Sequence, residues 1–291
     1  MRAADKKGMS LRRREAATGL AFAALPLCGF LAFYVIPFII SITMTFTSGY
    51  GGQFVGLQNY SQVIGSVAFQ RAVWNTTRFI AVGVPSIMVV SLGLALLLQQ
   101  KLKGTAFFRS VYILPLVLAV ASVIQVFQIV FEQNGILNAI LTSMGFDPVN
   151  FLHSGHAFGV LVTLYVWKNA GYNIILFLAG LSAIPDTYYD AAKVDGAGEW
   201  RRLRSITLPL LMPTFLFVFI ISIINAFKAF REAFVLGGAY PDESIYMLQH
   251  YMNNNFQNLN YPRLSVAALL TFVVIFVLVF LLFHFRNKAG D

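Results

Sequence analysis

Asp190-Ala191-Ala192-Lys193-Val194-Asp195-Gly196-Ala197-Gly198-Glu199-Trp200-Arg201-Arg202-Leu203-Arg204-Ser205-Ile206-Thr207-Leu208-Pro209 is a charged, small-residue stretch set between two apolar runs, 157–183 and 210–230. Pro185 ends the helical pattern ahead of it, and Asp186 or Thr187 can cap a new helix. Tyr188, Ala191, Ala192 and Asp195 then fall at i, i+3, i+4 and i+7, on one helical face. The alanines on that face are small enough to let another backbone come close. Gly196 follows where a left-handed C-cap is wanted, a conformation in which a Cβ is penalised. Glu199 to Ser205 predict a second short helix with Arg201, Arg202 and Arg204 exposed, and Pro209 stands at the start of the next apolar run. The stretch reads as a polar helix–turn–helix projecting between two membrane spans.

Composition points the same way. The 291 residues are 58% hydrophobic and 11% charged, with a mean hydropathy of +0.71, whereas soluble domains carry about 25% charged residues. A spanning helix needs about 20 apolar residues, and six runs qualify: 18–46, 74–99, 108–131, 157–183, 210–230 and 264–285. The fold class expected is therefore all-α and polytopic. A basic tail (1–17) precedes a six-span domain (18–285) that carries the polar loop (184–209), and a short tail (286–291) follows. Pro26 and Pro37 predict a kink or tilt in the first run. That run is too long for the apolar region of a signal peptide and lacks a small-residue cleavage site, so it is expected to be retained. Cys28 is the single cysteine, which excludes a disulfide within the chain.

The net charge of +9 is distributed as a topology signal rather than as a nucleic-acid surface. Fifteen of the 21 Lys and Arg fall in four segments that alternate with the spans. Arg2, Lys6, Lys7, Arg12, Arg13 and Arg14 lie in the first tail. Lys101, Lys103 and Arg109 follow the second run, Lys193, Arg201, Arg202 and Arg204 lie in the polar loop, and Arg286 and Lys288 close the chain. The opposite loops hold Arg71 and Arg263, and none lies between 132 and 156. The positive-inside bias places both termini and the polar loop in the cytosol.

The spacing Asp190-Ala191-Ala192, three residues, Gly196, nine residues, Ile206-x-Leu208-Pro209 resembles the Glu-Ala-Ala loop of permease subunits in binding-protein-dependent, ATP-driven (ABC) importers. Supporting likenesses to carbohydrate permeases are Phe54-Val55-Gly56-Leu57-Gln58-Asn59-Tyr60, Phe69 and Asn75-Thr76. Others are Phe107-Phe108-Arg109, Leu114-Pro115, Asn134 to Asn138, Trp167-Lys168 with Gly171-Tyr172, Ala179-Gly180-Leu181 and Ile184-Pro185. They cover most of 18–285 and are nearest the first permease of the maltose and glycerol-phosphate systems. The resemblance implies a docking loop for an ATPase formed by Asp190, Ala191, Ala192, Asp195, Gly196, Ala197, Ile206, Leu208 and Pro209. Asp190 departs from the family's Glu, keeping the charge with a shorter reach. The implied partners are two ATPase subunits, a second permease subunit expected to be a different chain, an external solute-binding protein and the lipid bilayer, with no nucleic acid. The implied place is a bacterial cytoplasmic membrane. The implied solute is a sugar, expected to be a di- or oligosaccharide, with glycerol phosphate or another polar solute as the alternative.

Polar groups inside spans tend to face a bundle interior or cavity. Tyr165, Asn169 and Tyr172 recur at i, i+4 and i+7 in the fourth run, and Ser222, Asn225 and Ala229 at i, i+3 and i+7 in the fifth. Hydroxyl-rich solutes suit such stripes, with hydrogen bonds from amides and an apolar face on an aromatic ring. By resemblance to the maltose permease, Tyr165, Asn169, Tyr172, Ser222 and Asn225 line the solute cavity, although such groups can equally bond helix to helix. Lys168 joins these cavity candidates. Lys168 and Lys228 fit either an anionic solute or side chains that reach out of the apolar layer, and we favour the second. The segment from Gly237 to Tyr261, polar and turn-rich, is placed to touch a binding protein or to fold into the pore mouth.

Other chemistries find little support. "Gly-Lys" never occurs, so no phosphate-binding loop is present and ATP hydrolysis is expected in a separate subunit, not in this chain. No cofactor or metal is expected, because the four histidines show no ligand or catalytic spacing. An ion-coupled secondary transporter favours carboxylates within the spans, and the middles of the six runs contain none.

Overall fold

A computed structural model of the protein describes residues 4–100, 107, 111–112, 114 and 120–289, and every regular element among the described residues is helical. A long apolar run in lipid must satisfy its backbone groups internally, and helix does so within one segment. Five described runs are long and apolar enough to cross a membrane: Thr18–Thr45, Val67–Gln99, Ala157–Ser182, Glu199–Gly237 and Tyr261–Leu281. They answer to five of the six expected spans. Of the remaining one, 108–131, the described part closes in the helix Val120–Phe131. Most of its first half, with the basic loop of Lys101, Lys103 and Arg109, lies outside the described residues.

In chain order the helices are α1 (Ala4–Phe30), α2 (Ile36–Thr45), α3 (Gln58–Ile64), α4 (Val67–Gln99), α5 (Val120–Phe131), α6 (Ile136–Ser143) and α7 (Ala157–Ser182). There follow α8 (Asp186–Val194), α9 (Glu199–Arg202), α10 (Leu208–Phe227), α11 (Phe230–Gly237), α12 (Leu248–Gln257) and α13 (Tyr261–Ala289). Two π-helical turns join neighbours without a break: Leu31–Val35 between α1 and α2, and Leu203–Thr207 between α9 and α10. Each ends two residues before a proline, Pro37 and Pro209. A proline ring collides with the carbonyl four residues back and offers it no N–H. Those carbonyls belong to Phe33 and Ser205, inside the widened turns, so the extra residue per turn relieves the collision. The expected irregularity in the first run thus takes the form of a π turn. The expected separate helix over Glu199 to Ser205 is instead the leading end of one helical run into α10.

The centre of the bundle is α7, packed on α4 and α10. Ile87, Leu161, Leu164, Ile174, Phe177, Leu211 and Val218 are buried there, and the Tyr165 ring meets Phe79 edge-on at 5.3 Å. A second apolar cluster joins α3, α4, α12 and α13 through Val63, Phe69, Ala72, Leu248, Tyr251, Val266 and Ala267. This cluster explains why the second span begins at Val67 rather than 74. Phe69 and Ala72 turn inward, while Arg71 stays outside and pairs with Glu243 at 2.5 Å.

Three buried asparagines tie loops to helix ends, since an amide can donate to two carbonyls at once. Asn59 Nδ2 donates to the Thr45 and Thr47 carbonyls at 3.0 and 2.9 Å. Asn75 Nδ2 donates to Glu243 and Tyr246 at 2.6 and 3.0 Å. Asn138 donates to Val149 O at 2.9 Å and accepts from Val149 N–H at 2.8 Å. Beside Asn75, Thr76 Oγ1 accepts the Leu248 N–H at 2.9 Å and so fastens the first turn of α12 to α4.

Gly180 permits a close approach of α7 to α10. A Cβ there would lie 2.4 Å from Thr214 Oγ1 and 2.9 Å from Leu211 Cδ1. Gly180→Val is therefore expected to cost about 1–3 kcal/mol by overpacking, read as a lowered thermal unfolding midpoint in detergent. Gly159→Val, where nothing lies within 4 Å of the added atom, is the control and should leave the midpoint nearly unchanged.

Candidate functional site

Along the fifth run the α-helix stops at Phe227, turns at Lys228 and Ala229, and restarts at Phe230. A cavity of about 1120 Å³ opens beside this interruption, between α7, α10, α11 and the first turn of α12. From α7 it receives Lys168, Asn169 and Tyr172, from α10 Ile221, Ile224 and Asn225, and from the interruption Lys228. Phe230, Arg231, Glu232, Phe234 and Val235 of α11 and Gln249 of α12 complete the lining. The site joins amide groups, aromatic rings and charged side chains within one concave surface, as hydroxyl-rich ligands require.

Of the residues expected there, Lys168, Asn169, Tyr172 and Asn225 line the cavity, while Tyr165 and Ser222 do not. Tyr165 is only 1% exposed, and its hydroxyl donates to the Ser222 carbonyl at 2.7 Å. Ser222 Oγ accepts from Asn173 Nδ2 at 2.9 Å. These two residues serve the helix-to-helix bonding that was the other reading of the stripes. Tyr165 shares the face of Asn169 and Tyr172 but lies about one to two turns away along α7, whereas for Ser222 the cause is angular. Successive residues are about 100° apart on a helix, so a cavity face centred on Ile221, Asn225 and Lys228 turns Ser222 towards α7. Asn169 lies on the cavity side and also donates to the Tyr165 carbonyl at 2.9 Å.

The two lysines also depart from the favoured reading. Lys168 turns into the bundle, where its Nζ bonds to Glu232 Oε1, with side chains 14% and 7% exposed. Lys228 faces the cavity. Glu232 was missed because the fifth run was expected to end at 230, whereas the helical run extends to Gly237. A carboxylate inside the apolar sequence Phe230 to Gly237 was the available signal. Gln249 and the two phenylalanines could not be found from sequence, since only folding brings α12 against α11.

Part of the Gly237–Tyr261 segment packs against α4 and α13, and Gln249 reaches the cavity. Leu248, His250, Tyr251 and Asn254 of α12 are buried. His250 sits among Phe230, Phe234 and Tyr246, and its Nδ1 accepts the Met247 N–H at 3.0 Å. Burial among these rings lowers the imidazole pKa to about 4, because the cation loses its hydration there.

Beyond the opposite end of α7, α8 starts at Asp186 with Pro185 as N-cap and no side-chain cap, so neither Asp186 nor Thr187 caps it. Asp195 caps its C-terminus, and Gly196 follows at φ 74°. Gly196 N–H donates to Lys193 O at 3.0 Å and Ala197 N–H to Ala192 O at 2.8 Å, the paired bonds of a Schellman turn. Tyr188, Ala191 and Asp195 are exposed, Ala192 is buried against the chain, and Ala197 is half-buried. Asp190 is exposed and pairs with Lys193 at 2.9 Å. Tyr189 Oη and Thr207 Oγ1, 3.1 Å apart, fasten α8 to the π turn ahead of α10. Ile206 and Leu208 are half-buried there and Pro209 is exposed. Arg202 is also half-buried, unlike exposed Arg201 and Arg204, and lies 3.6 Å from Glu199. Val194 and Trp200 stand out at 88% and 74% exposure, apolar side chains on the projecting surface that the spacing pattern does not include.

Residues 65–289 match the family of binding-protein-dependent transport system inner membrane components. The chain belongs to this family. The permease is 32% identical over 279 residues to the trehalose/maltose transport system permease of Thermococcus litoralis, covering 93% of this chain and 95% of that protein. It is 31% identical over 237 residues to the sulfoquinovosyl glycerol transport system permease of Agrobacterium fabrum, covering 80% and 76%. Among solved structures, its fold is similar to a chain of a bacterial alginate ABC transporter in complex with an alginate pentasaccharide-bound periplasmic protein. That likeness has a TM-score of 0.83 and 22% identity, and covers 95% and 96% of the two chains.

Two outcomes test the site. Lys168→Met leaves Glu232 buried without its cation and is expected to cost about 3–5 kcal/mol; adding Glu232→Leu should recover most of it, measured by thermal unfolding of the purified protein. For His250 the folded pKa lies below the ordinary 6.5, so its neutral form stabilises the fold fully above that value and the contribution is lost as pH falls towards 4. Amide exchange in α12, corrected for intrinsic rates, should rise between pH 7 and about 5 and should rise less in His250→Gln, which keeps an acceptor without titrating.

Proposed function

We propose that this permease is the membrane path of an ATP-driven importer, passing a carbohydrate from an external solute-binding protein to the cytosol. The observation that carries the reading is one mechanical unit with two ends. A polar cavity lies beside the α10–α11 interruption, and an unbroken helical run from Glu199 through α10 joins it to the projecting Gly196 turn. Asp190 to Ala192, Asp195 to Ala197, Ile206, Leu208 and Pro209 form or support the surface that docks an ATPase, with Val194 and Trp200 adding apolar contact. Two ATPase subunits close on ATP, the docked turn moves with them, and the Tyr189–Thr207 contact passes the movement into α10. The cavity then alternates its side of access. A second permease subunit, a different chain, completes the pathway. The protein lies in a bacterial cytoplasmic membrane with six spans and both termini in the cytosol, as the distribution of Lys and Arg supports.

Within the cavity, Asn169 and Asn225 bond hydroxyls and the Tyr172 ring stacks on an apolar sugar face. The relatives' carbohydrate solutes support the substrate class, and they include both a neutral and an acidic glycoside. A di- or oligosaccharide suits the cavity's volume. Hydrolysis of ATP belongs to the docked subunits, since this chain has no phosphate-binding loop.

The test is reconstitution of the chain with companion permease, ATPase and binding protein in liposomes. Uptake is expected to require ATP and binding protein together; uptake that survives ATP removal and collapses with an uncoupler would overturn the reading. Gly196→Val forces a β-branched residue into the left-handed region. It is expected to insert in the membrane while the ATPase no longer copurifies.

A further inference from the structure

We infer that the solute taken by this cavity is an anionic carbohydrate, its acidic group held by Lys228 and Arg231 and one of its hydroxyls donated to the Glu232 carboxylate once that side chain turns towards the solute. The inference rests on the proposed transport role of the cavity and specifies the chemistry of the solute. Four charged side chains line the cavity: Lys168, Lys228, Arg231 and Glu232. Lys168 and Glu232 neutralise one another across α7 and α11. Lys228 and Arg231 remain, one at the helix interruption and one in the first turn of α11, and neither has a carboxylate or hydrogen-bond acceptor among the described residues. Both are exposed at the mouth of the cavity in the single chain, so their charges are free to meet a solute, and along a membrane path such cations call for a counter-charge. A carboxylate, sulfonate or phosphate on the solute answers both, and Arg offers a planar fork to such groups.

Glu232 supplies an independent pointer, and it narrows the solute beyond a bare anion. The residue is 5% exposed, and its Oε2 atom is buried without a partner. Buried acceptors are nearly always satisfied, and an ionised carboxylate needs a donor there. A sugar hydroxyl is such a donor, whereas sulfate or another anion without a hydroxyl only repels it. Net charge of the lining, three cations against one carboxylate, disfavours cationic solutes. The solute that satisfies every group is a polyol carrying an acid, with its remaining hydroxyls on Asn169, Asn225 and Gln249.

The assembled transporter in nanodiscs, without binding protein, is titrated calorimetrically with matched probes. Trigalacturonate is compared with its methyl ester, glucose 6-phosphate with glucose, and sulfate stands as an anion lacking hydroxyls. At least one acidic sugar is expected to bind about tenfold or more tightly than its neutral match, with the preferred pair telling carboxylate from phosphate chemistry. That preference should vanish in Lys228→Gln/Arg231→Gln. Glu232→Gln should weaken the acidic sugar while leaving sulfate unchanged. The inference falls if neither acidic sugar outbinds its neutral match, if the preference survives in the double variant, or if sulfate binds as well as the sugar. It also falls if the double variant no longer assembles, since the two cations would then be answered by the companion permease. The titration needs no turnover, so a failure of ATP-driven uptake would strike the importer reading separately.

Discussion

The Tyr165 hydroxyl on the Ser222 carbonyl is the contact around which the permease is arranged. A phenol buried in an apolar bundle must find an acceptor, and this one finds a main-chain oxygen of the neighbouring helix. The bond sets the height of α7 against α10, and the Tyr165 ring, edge-on to Phe79, sets α4 against both. With those three helices placed, the turns of α7 beyond Tyr165 and the face of α10 beside Ser222 are left open. Lys168 and Asn169 on α7, and Ile221 and Asn225 on α10, are thereby turned into the cavity. The packing contact and the polar surface are neighbouring parts of the same helices.

Proline governs the mechanics of the long helices. Pro37 and Pro209 each follow a π turn that removes the ring's collision with a carbonyl while keeping the helix continuous. At the α9–α10 junction this continuity matters most. A break there would uncouple the projecting Gly196 turn from the cavity, whereas a widened turn transmits displacement. The one true interruption of that run falls at Lys228 and Ala229. There the α-helix breaks off and restarts, and Arg231 and Glu232 of the restarted helix line the cavity.

Much of this architecture was legible in the chain because it follows from local chemistry. Apolar run length determined five of the described spans, and the C-terminal rule for left-handed glycine determined the Gly196 turn. The π turns, the fusion of α9 into α10 and the extension of the fifth run to Gly237 were not legible. The π turns are one of several ways a helix can accommodate a proline, and the extension to Gly237 depends on partners in neighbouring helices, as Glu232 finds in Lys168.

By itself, then, the sequence determined that this chain is an all-helical membrane protein with a polar turn of defined shape, because continuous apolar runs of about 20 residues cross lipid as helices and a Cβ is penalised at Gly196. It also supplied the polar residues of the fourth and fifth runs. Tertiary structure alone decided their use. Helical spacing names a face only to within about one residue's rotation, and the partner helix decides which side of that face is packed and which is open. On α10 that rotation separates Ser222, which joins helices, from Asn225, which lines the cavity; on α7 it is the level along the axis that separates Tyr165 from Asn169 and Tyr172 on the same face.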